Sequence, residues 1–344
     1  MKINKPQSSR RKFLKKTFYT LSGTLALQLP FPFIKRVYAG DKNPRRGLGN
    51  LFLKNEKPLL IVMEGNDKMM MLKKGLEKIG NFEKLVKGKK VVLKPNTVSP
   101  GPYPVCTDPD FLIALGKSAI DAGAKSVSIF DSPGRSERIF RQLNLPEKAK
   151  QFGIELNPVE PTASKFFTTV ENQAWEVMEK IDVAIPLKEA DVVINVPTVK
   201  RHLEAGFSCA MKNHFGSVYG PNRFEAHVKL HKGGTYNEWD ESFRIPFRKL
   251  AAEFSDTVRC ELNVVDAQYL LTKSGPLLDG AEIKQGVNKL IISGDIVATD
   301  AYCSSLMAKH DPSYSLDIWE PVLKYGEKLG LGISDPKKIE IVEI

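Results

Sequence analysis

The chain has 344 residues, 51 Lys and Arg, 40 Asp and Glu, and a formal net charge of +11. Residues 1–39 hold nine of the basic side chains and no acidic one, so the remainder carries 42 basic and 40 acidic side chains. This near-neutral balance excludes the broad positive surface that binds nucleic acid. The roughly 305 residues that remain are enough for one large or two small domains.

The N-terminus matches the twin-arginine export signal. Residues 9–15 read SRRKFLK, residues 18–34 are modestly apolar, and residues 37–39 (VYA) offer a small-residue cleavage site. A membrane-spanning helix needs about 20 strongly apolar residues, so we expect a cleaved signal peptide over residues 1–39 and no permanent membrane span. The expected partner in export is the twin-arginine translocase, and the expected location is periplasmic or otherwise extracytoplasmic.

Strand-like and helix-like segments alternate along the rest of the chain. Residues 40–57 are polar and are expected to form a linker before a domain over residues 58–344. Short Val- and Ile-rich segments predict strands at Leu59–Glu64, Val91–Asn96, Ser126–Asp131, Asp191–Val196, Leu262–Asp266, Lys289–Ser293 and Ile339–Val342. Amphipathic segments predict helices at Met69–Leu85, Asp108–Ile120, 137–152, Pro246–Phe254, Asp300–Met307 and Trp319–Leu329. The alternation predicts an α/β fold with mainly parallel sheet flanked by helices, in one lobe or two, the second from about residue 235.

Polar side chains follow three of the predicted strands. If these strands are parallel neighbours, their carboxyl ends meet at one edge, where ligands bind in open α/β sheets. We expect a small-molecule ligand there, with Lys94 and Lys200 binding its anionic group and Asp131 orienting a hydroxyl or an imidazole. The candidate ligand-binding residues are Lys94, Asn96, Asp131, Ser132, Lys200 and Asn213.

Four of the five histidines lie within thirty residues, after the strand predicted at Asp191–Val196. They are His202, His214, His227 and His231. Lys212 lies among them on a loop with small residues, and a lysine becomes nucleophilic where it is desolvated. Neutral imidazoles also bind nickel, zinc or iron. The candidate catalytic residues are therefore Lys212, His202 and His227, the two histidines being the candidate metal ligands.

The four cysteines do not form a metal-binding pattern. Cys106, Cys209, Cys260 and Cys303 are widely separated and include no C-x-x-C motif, so no iron–sulfur cluster is expected in this chain. Each lies in or beside an apolar segment, so buried free thiols are the simplest expectation. Spacing alone leaves disulfide pairing open.

The motifs resemble those of domain-of-unknown-function family 362. Lys94-Pro-Asn, Asp131-Ser-Pro-Gly, the segment from Asn195 to His202 and the segment from Met211 to Gly216 follow in the order typical of that family. The resemblance covers residues 59–344. Many relatives carry a ferredoxin-like cysteine cluster that this chain lacks, so their electron-transfer chemistry does not carry over.

A second resemblance is to the nickel-pincer lactate racemases. His202, the following Ala-Gly-Phe-Ser, Lys212 and His227 are similar to a pattern in which a lysine is joined to a pincer nucleotide and two histidines complete the site. Here Cys209-Ala210 replaces the usual Gly-Gly pair. The resemblance implies a metal or pincer-type nucleotide cofactor and racemase- or isomerase-like, or redox, chemistry on a small anionic substrate.

Two classes of function fit these residues. An enzyme would use the Lys/His centre, whereas a non-catalytic extracytoplasmic binding protein would use the same strand ends to hold an anion. A binding protein needs Lys94 and Lys200 but no convergent histidines. The separation of the His202 and His227 imidazoles therefore discriminates between the two, since rings more than about 10 Å apart could not share one metal and would favour the binding protein.

Overall fold

Strands rich in Val and Ile form the centre of the molecule. The computed structural model describes residues 42–230 and 241–344. The described strands are β1 (Leu53–Lys54), β2 (Lys57–Glu64), β3 (Lys90–Pro95), β4 (Ser126–Asp131), β5 (Glu155–Pro158), β6 (Phe167–Glu171), β7 (Lys180–Ala184), β8 (Val192–Val196), β9 (Thr198–His202), β10 (Gly206–Ser208), β11 (Leu262–Thr272), β12 (Glu282–Lys284), β13 (Lys289–Ser293) and β14 (Glu340–Glu343).

Helices connect most of these strands. They are α1 (Lys68–Ile79), α2 (Phe82–Val86), α3 (Pro109–Asp121), α4 (Ser136–Gln142), α5 (Leu145–Lys150), α6 (Ile185–Lys188), α7 (Ala210–Asn213), α8 (Gly220–Leu230), α9 (Glu241–Val258), α10 (Ile296–His310) and α11 (Glu320–Lys328). Within residues 42–230 and 241–344, none of the helices is long and apolar enough to cross a membrane.

One sheet contains twelve of the described strands, and eight of them follow the order β1-β2-β13-β11-β8-β3-β4-β5. Every neighbouring pair from β11 to β5 is parallel. Strand β13 is antiparallel to both β11 and β2, so β2 has the same direction as the parallel set. The carboxyl ends of β2, β3, β4, β8 and β11 therefore lie at one edge. This arrangement confirms the predicted α/β class, and the strands after about residue 235 belong to this same sheet.

Apolar side chains cover both faces of the sheet. Along β2, Leu60 and Val62 belong to one buried cluster, whereas Leu59, Ile61 and Met63 belong to another on the opposite face. Helices α9, α10 and α11 cover the first face, and helices α1 and α3 cover the second. Because both faces are buried, the strands are continuously apolar in sequence instead of alternating.

Two of the predicted helices are each divided in two. The segment Met69–Leu85 forms α1 and α2, separated by Gly80 and Asn81, whose φ angles are 70° and 53°. Residues 137–152 form α4 and α5 because Asn144 has a φ of 55°. Left-handed backbone interrupts an α-helix, and Gly and Asn adopt it most readily.

Part of the segment expected to be a linker packs against the domain. Arg45 forms a buried ion pair of 2.8 Å with Glu261 and also donates to the backbone carbonyl of Val258. Phe52 is buried in the cluster on one face of the sheet. These contacts anchor residues 45–52 to the domain. The predicted signal peptide lies outside the described residues.

The cysteines are free thiols. Cys106, Cys209 and Cys303 are buried, and Cys260 is half-buried. Three of the four thus have the buried surroundings expected from the sequence.

Candidate functional site

A buried ion pair joins the carboxyl ends of β3 and β4. Lys94 Nζ lies 2.8 Å from Asp131 Oδ1 and donates to the carbonyl oxygen of Pro95 at 2.7 Å. Asp131 Oδ2 accepts from the backbone N–H and the hydroxyl of Thr97, at 2.9 and 2.6 Å. Burial lowers the pKa of Lys94, and the Asp131 carboxylate opposes that effect. The Asp131 carboxylate is thus occupied by Lys94 and Thr97.

Gly216 allows the loop after α7 to pack directly on this pair. A Cβ at Gly216 would overlap the Asp131 carboxylate and lie 2.8 Å from Lys94 Nζ. The carbonyl oxygen of Gly216 also accepts a 2.7 Å hydrogen bond from Ser132 Oγ. A side chain at this position would displace the ion pair, so the small residue is a packing requirement.

Lys200, on β9, is almost fully buried and has neutral partners. Its Nζ donates to Asn96 Oδ1 at 3.0 Å and to the carbonyl oxygen of Val105 at 2.9 Å. Burial lowers the pKa of Lys200 to about 8. Lys200 and Asn96, both predicted ligand-binding residues, are thus in contact with each other.

Two groups of hydrogen bonds hold the short helix α7, which carries Lys212. Asp300 of α10 accepts from the backbone N–H groups of Ala210 and Met211, at 2.6 and 3.2 Å. At the other end, Asn213 Nδ2 donates to the carbonyl oxygen of Lys94 at 3.0 Å and to Asn195 Oδ1 at 2.8 Å. The Asn213 side chain, predicted to bind ligand, is buried and fixes α7 to the sheet.

The Lys212 amine is buried against aromatic rings. Its Nζ lies 3.4 Å from the ring centroid of Phe215 and 5.7 Å from that of Phe247. Among the described residues, no carboxylate lies within ion-pair distance of this amine. Burial lowers its pKa to about 7; Glu204 opposes this, whereas Lys200 and Arg223 add to it. About half of the Lys212 side chains are therefore neutral at pH 7.

His202 occupies the end of β9, where a hairpin with β10 fixes its ring. Its Nδ1 accepts from the backbone N–H groups of Glu204 and Ala205, both at 3.2 Å. Two donors at Nδ1 require the neutral ring to carry its hydrogen on Nε2. Burial lowers the pKa of His202 well below its usual value, and the charges of Lys212 and Lys200 lower it further. His202 is thus a neutral hydrogen-bond donor.

His227 lies on α8 and contacts the same hairpin. Its Nδ1 is 2.6 Å from the carbonyl oxygen of Arg223, one turn earlier in the helix, and its Nε2 is 3.2 Å from Glu204 Oε2. The imidazole also packs edge-on against Phe247, 5.2 Å between centroids. His227 therefore connects α8 to the turn that holds His202.

Of the other two clustered histidines, His214 is buried in the domain. Its Nδ1 lies 3.0 Å from Ser217 Oγ, and burial lowers its pKa to about 3. The ring is therefore neutral and belongs to the packing beneath Lys94. His231 lies outside the described residues.

The described side chains do not present the ligand set of a nickel cofactor. No group of three His, Cys, Asp or Glu within residues 42–230 and 241–344 is arranged to hold a metal ion. The Nδ1 lone pair of His202 faces two N–H groups, and both nitrogens of His227 face oxygen acceptors. A metal needs a free imidazole lone pair from each histidine. As placed, His202 and His227 thus do not offer the lone pairs needed by the metal that the second resemblance implied.

Two charged residues of the site were not predicted from the sequence. Arg223 donates to the carbonyl oxygens of Ser132 and Val218, at 2.6 and 2.8 Å, and also contacts the Ser132 hydroxyl. Glu204 contacts two of the three catalytic candidates: its backbone N–H donates to His202, and its carboxylate lies 3.2 Å from His227 Nε2. Arg223 precedes His227 by four residues, which places both side chains on one face of a helix. This spacing could have identified Arg223 as a residue of the site.

Comparisons with known proteins identify a family and two distant structural neighbours. The family described as Domain of unknown function (DUF362) matches residues 91–305. A thylakoid-associated protein of Synechocystis sp. is 25% identical over 273 residues, which cover 78% of this chain and 77% of that protein.

The two solved structures are similar over part of their length. The lactate racemase apoprotein from Thermoanaerobacterium thermosaccharolyticum gives a TM-score of 0.44 at 16% identity, covering 64% of this chain and 52% of that one. A protein from Thermotoga maritima gives a TM-score of 0.42 at 16% identity, covering 77% of this chain and 60% of that one. The chain therefore spans about half of the lactate racemase apoprotein and about three fifths of the Thermotoga maritima protein.

Proposed function

We propose an enzymatic function for this chain, which belongs to the family described as Domain of unknown function (DUF362). The proposed reaction is isomerase-like: a proton is moved on a carbon beside the carboxylate of a small anionic substrate. Lys212 is the proposed base. The observation that supports this proposal most strongly is the buried Lys212 amine, whose pKa is lowered to about 7.

A buried amine in these surroundings is costly for the fold. Burying a charge without a paired opposite charge disfavours the charged form. Lys212 nevertheless lies beside two other cations, Lys200 and Arg223, that add to the cost. Strongly perturbed groups of this kind concentrate at functional sites, because a base is most efficient when its pKa is close to the working pH.

The proposed steps use the groups around Lys212. The neutral amine takes a proton from the carbon beside the substrate carboxylate, and the electron pair of the C–H bond moves into the carboxylate, forming an enediolate. The Nε2–H of His202 donates a hydrogen bond to that oxygen, and the charge of Lys200 stabilises it. The ammonium of Lys212 then returns the proton to carbon, so that no atom is gained or lost.

Glu204 and His227 support these groups in the proposal. Glu204 raises the pKa of Lys212, and its backbone N–H fixes the ring of His202. His227 contacts the Glu204 carboxylate and thereby holds it near the amine. Lys94 and Asp131 contact each other and are therefore proposed to support the site structurally, without binding the substrate.

Deuterium incorporation tests the proposal. The protein is incubated in D₂O with a panel of small 2-hydroxy acids and other carboxylates, and exchange of the hydrogen beside the carboxylate is followed by NMR. We expect exchange with at least one compound, and a loss of about 100-fold or more in Lys212→Ala, because general-base catalysis contributes about 10² to 10⁴ in rate.

Lys249→Ala is the matched control. Lys249 is also a partly buried lysine over an aromatic ring, 5.1 Å from the Tyr325 centroid, but it is paired with Glu176 at 2.7 Å. The Lys249→Ala variant should therefore exchange the substrate hydrogen at the wild-type rate. If the folded wild type binds carboxylates in calorimetry but exchanges none of them, the enzymatic proposal fails and the non-catalytic anion-binding protein replaces it.

A further inference from the structure

The site carries more positive than negative charge. Four cationic side chains meet at the carboxyl ends of β3, β4 and β9, and two carboxylates lie among them. The cations are Lys94, Lys200, Lys212 and Arg223; the carboxylates are Asp131 and Glu204. With all six ionised, the excess is two positive charges; with Lys212 neutral, as the proposed base requires, it is one.

The backbone contacts make this a single cluster. Thr97 donates to Asp131 and directly follows Asn96, which accepts from Lys200. Ser132 directly follows Asp131 and accepts from Arg223. Lys200 and Arg223 therefore each contact a residue next in sequence to one that holds, or belongs to, the Lys94–Asp131 ion pair.

Among the residues that the structure describes, no carboxylate is hydrogen-bonded to Lys200 or to Arg223. The Lys200 ammonium donates to an amide oxygen and a carbonyl oxygen. The Arg223 guanidinium donates to two carbonyl oxygens and a hydroxyl. Neutral acceptors satisfy the N–H groups but do not cancel the charge, which is costly away from water. The Asp131 carboxylate raises the pKa of both Lys200 and Arg223, but it is already paired with Lys94. Lys94, in contrast, has the Asp131 carboxylate.

We propose that the substrate of this site is a dianion, with a second carboxylate or a phosphoryl group in addition to the carboxylate that undergoes the reaction. This inference rests on the proposed function. The reacting carboxylate lies between Lys212 and His202, and the second anionic group lies toward Lys200 and Arg223. Arg223 is half-buried and can therefore contact the ligand directly. Lys200 is buried and attracts the anionic group through its charge, without contact.

Calorimetry with anions of defined charge tests the inference. The probes are sulfate and succinate as dianions, and acetate and lactate as monoanions, at pH 8 and constant ionic strength. We expect the dianions to bind at least ten-fold more tightly than the monoanions. Arg223→Gln should remove most of this preference, whereas Arg141→Gln, a change at an exposed helix position, should keep it.

Proton uptake by the unmodified protein provides a second measurement, in case Arg223→Gln does not fold. The pKa of Lys200 is about 8, so this amine is half-protonated at pH 8. A bound dianion raises that pKa, so sulfate binding should make Lys200 take up as much as about 0.5 protons at pH 8 and almost none at pH 5.5. Sulfate itself does not titrate in this range. Calorimetry in buffers of different ionisation enthalpy measures the uptake.

The outcomes separate this inference from the proposed function. Equal affinity for monoanions and dianions, or no proton uptake with sulfate at pH 8, overturns the dianion inference even if proton exchange on a monocarboxylate is found. A dianion preference with proton uptake supports it, and the absence of deuterium exchange would then contradict the enzymatic proposal alone.

Discussion

Replacing Lys212 by methionine should stabilise the protein, and the gain should depend on pH. Methionine keeps the length of the side chain and its contact with Phe215 but removes the amine. One pKa unit corresponds to about 1.4 kcal/mol, so a pKa lowered from 10.5 to about 7 makes the charged lysine oppose folding by up to about 5 kcal/mol. The attraction of the ammonium to the Phe215 ring, about 0.5–2 kcal/mol, offsets part of that cost.

The direction of the pH dependence follows from proton binding. Between pH 7 and 10.5 the unfolded chain keeps a proton on Lys212 that the folded chain has released, so the free energy of unfolding rises with pH in this window. The advantage of Lys212→Met should therefore be about 2–5 kcal/mol at pH 6 and shrink toward zero near pH 10. Urea denaturation of both proteins at pH 6, 8 and 10 measures it.

Lys249→Met is the control for this experiment. The Lys249 ammonium is paired with Glu176 and lies near the Tyr325 ring. Its removal loses that ion pair while Glu176 keeps its second partner, Lys328, so Lys249→Met should not stabilise the protein. If Lys212→Met gains the same free energy at all three pH values, or none at pH 6, the lowered pKa of Lys212 is wrong.

Three further predictions concern the surroundings of this amine and the N-terminus. Glu204→Gln should lower the pKa of Lys212 further, because Glu204 raises it, and should shift the acid limb of the proton-exchange rate to lower pH. Asp300→Ala should lower the free energy of unfolding in urea by about 1–3 kcal/mol, since two backbone N–H groups lose their buried acceptor; an unchanged value would contradict its function in holding α7. Replacing Arg10 and Arg11 by lysine should abolish export, as measured by cell fractionation, and normal export of the double mutant would refute the twin-arginine proposal.

The sequence predicts the fold and the edge of the sheet that carries the polar residues. Periodicity and strand length are local properties, so β4 and β13 were predicted with the bounds that the structure has. The position of Lys94 beside Asp131 follows from placing each residue at the end of a neighbouring parallel strand. The divided helices were not predicted, because Gly80 and Asn144 interrupt a pattern whose apolar spacing continues past them.

The chemistry of the site depends on burial, which spacing alone does not reveal. Lys212 was a candidate because of its neighbours in sequence, but its lowered pKa results from Phe215, Phe247 and the distant Lys200. Asn213 was predicted to bind ligand, whereas its amide is used to fix α7 on β3 and β8. Whether a polar side chain serves the fold or a ligand depends on partners far away in sequence.

The titration of the Lys212 amine tests the central claim most directly. Protein labelled with ¹³C at the lysine ε-carbons is titrated from pH 5 to 11, and the Lys212 resonance is assigned by its absence in Lys212→Met. We expect a midpoint of about 7. A midpoint of about 10, the usual value for an exposed lysine, would contradict it.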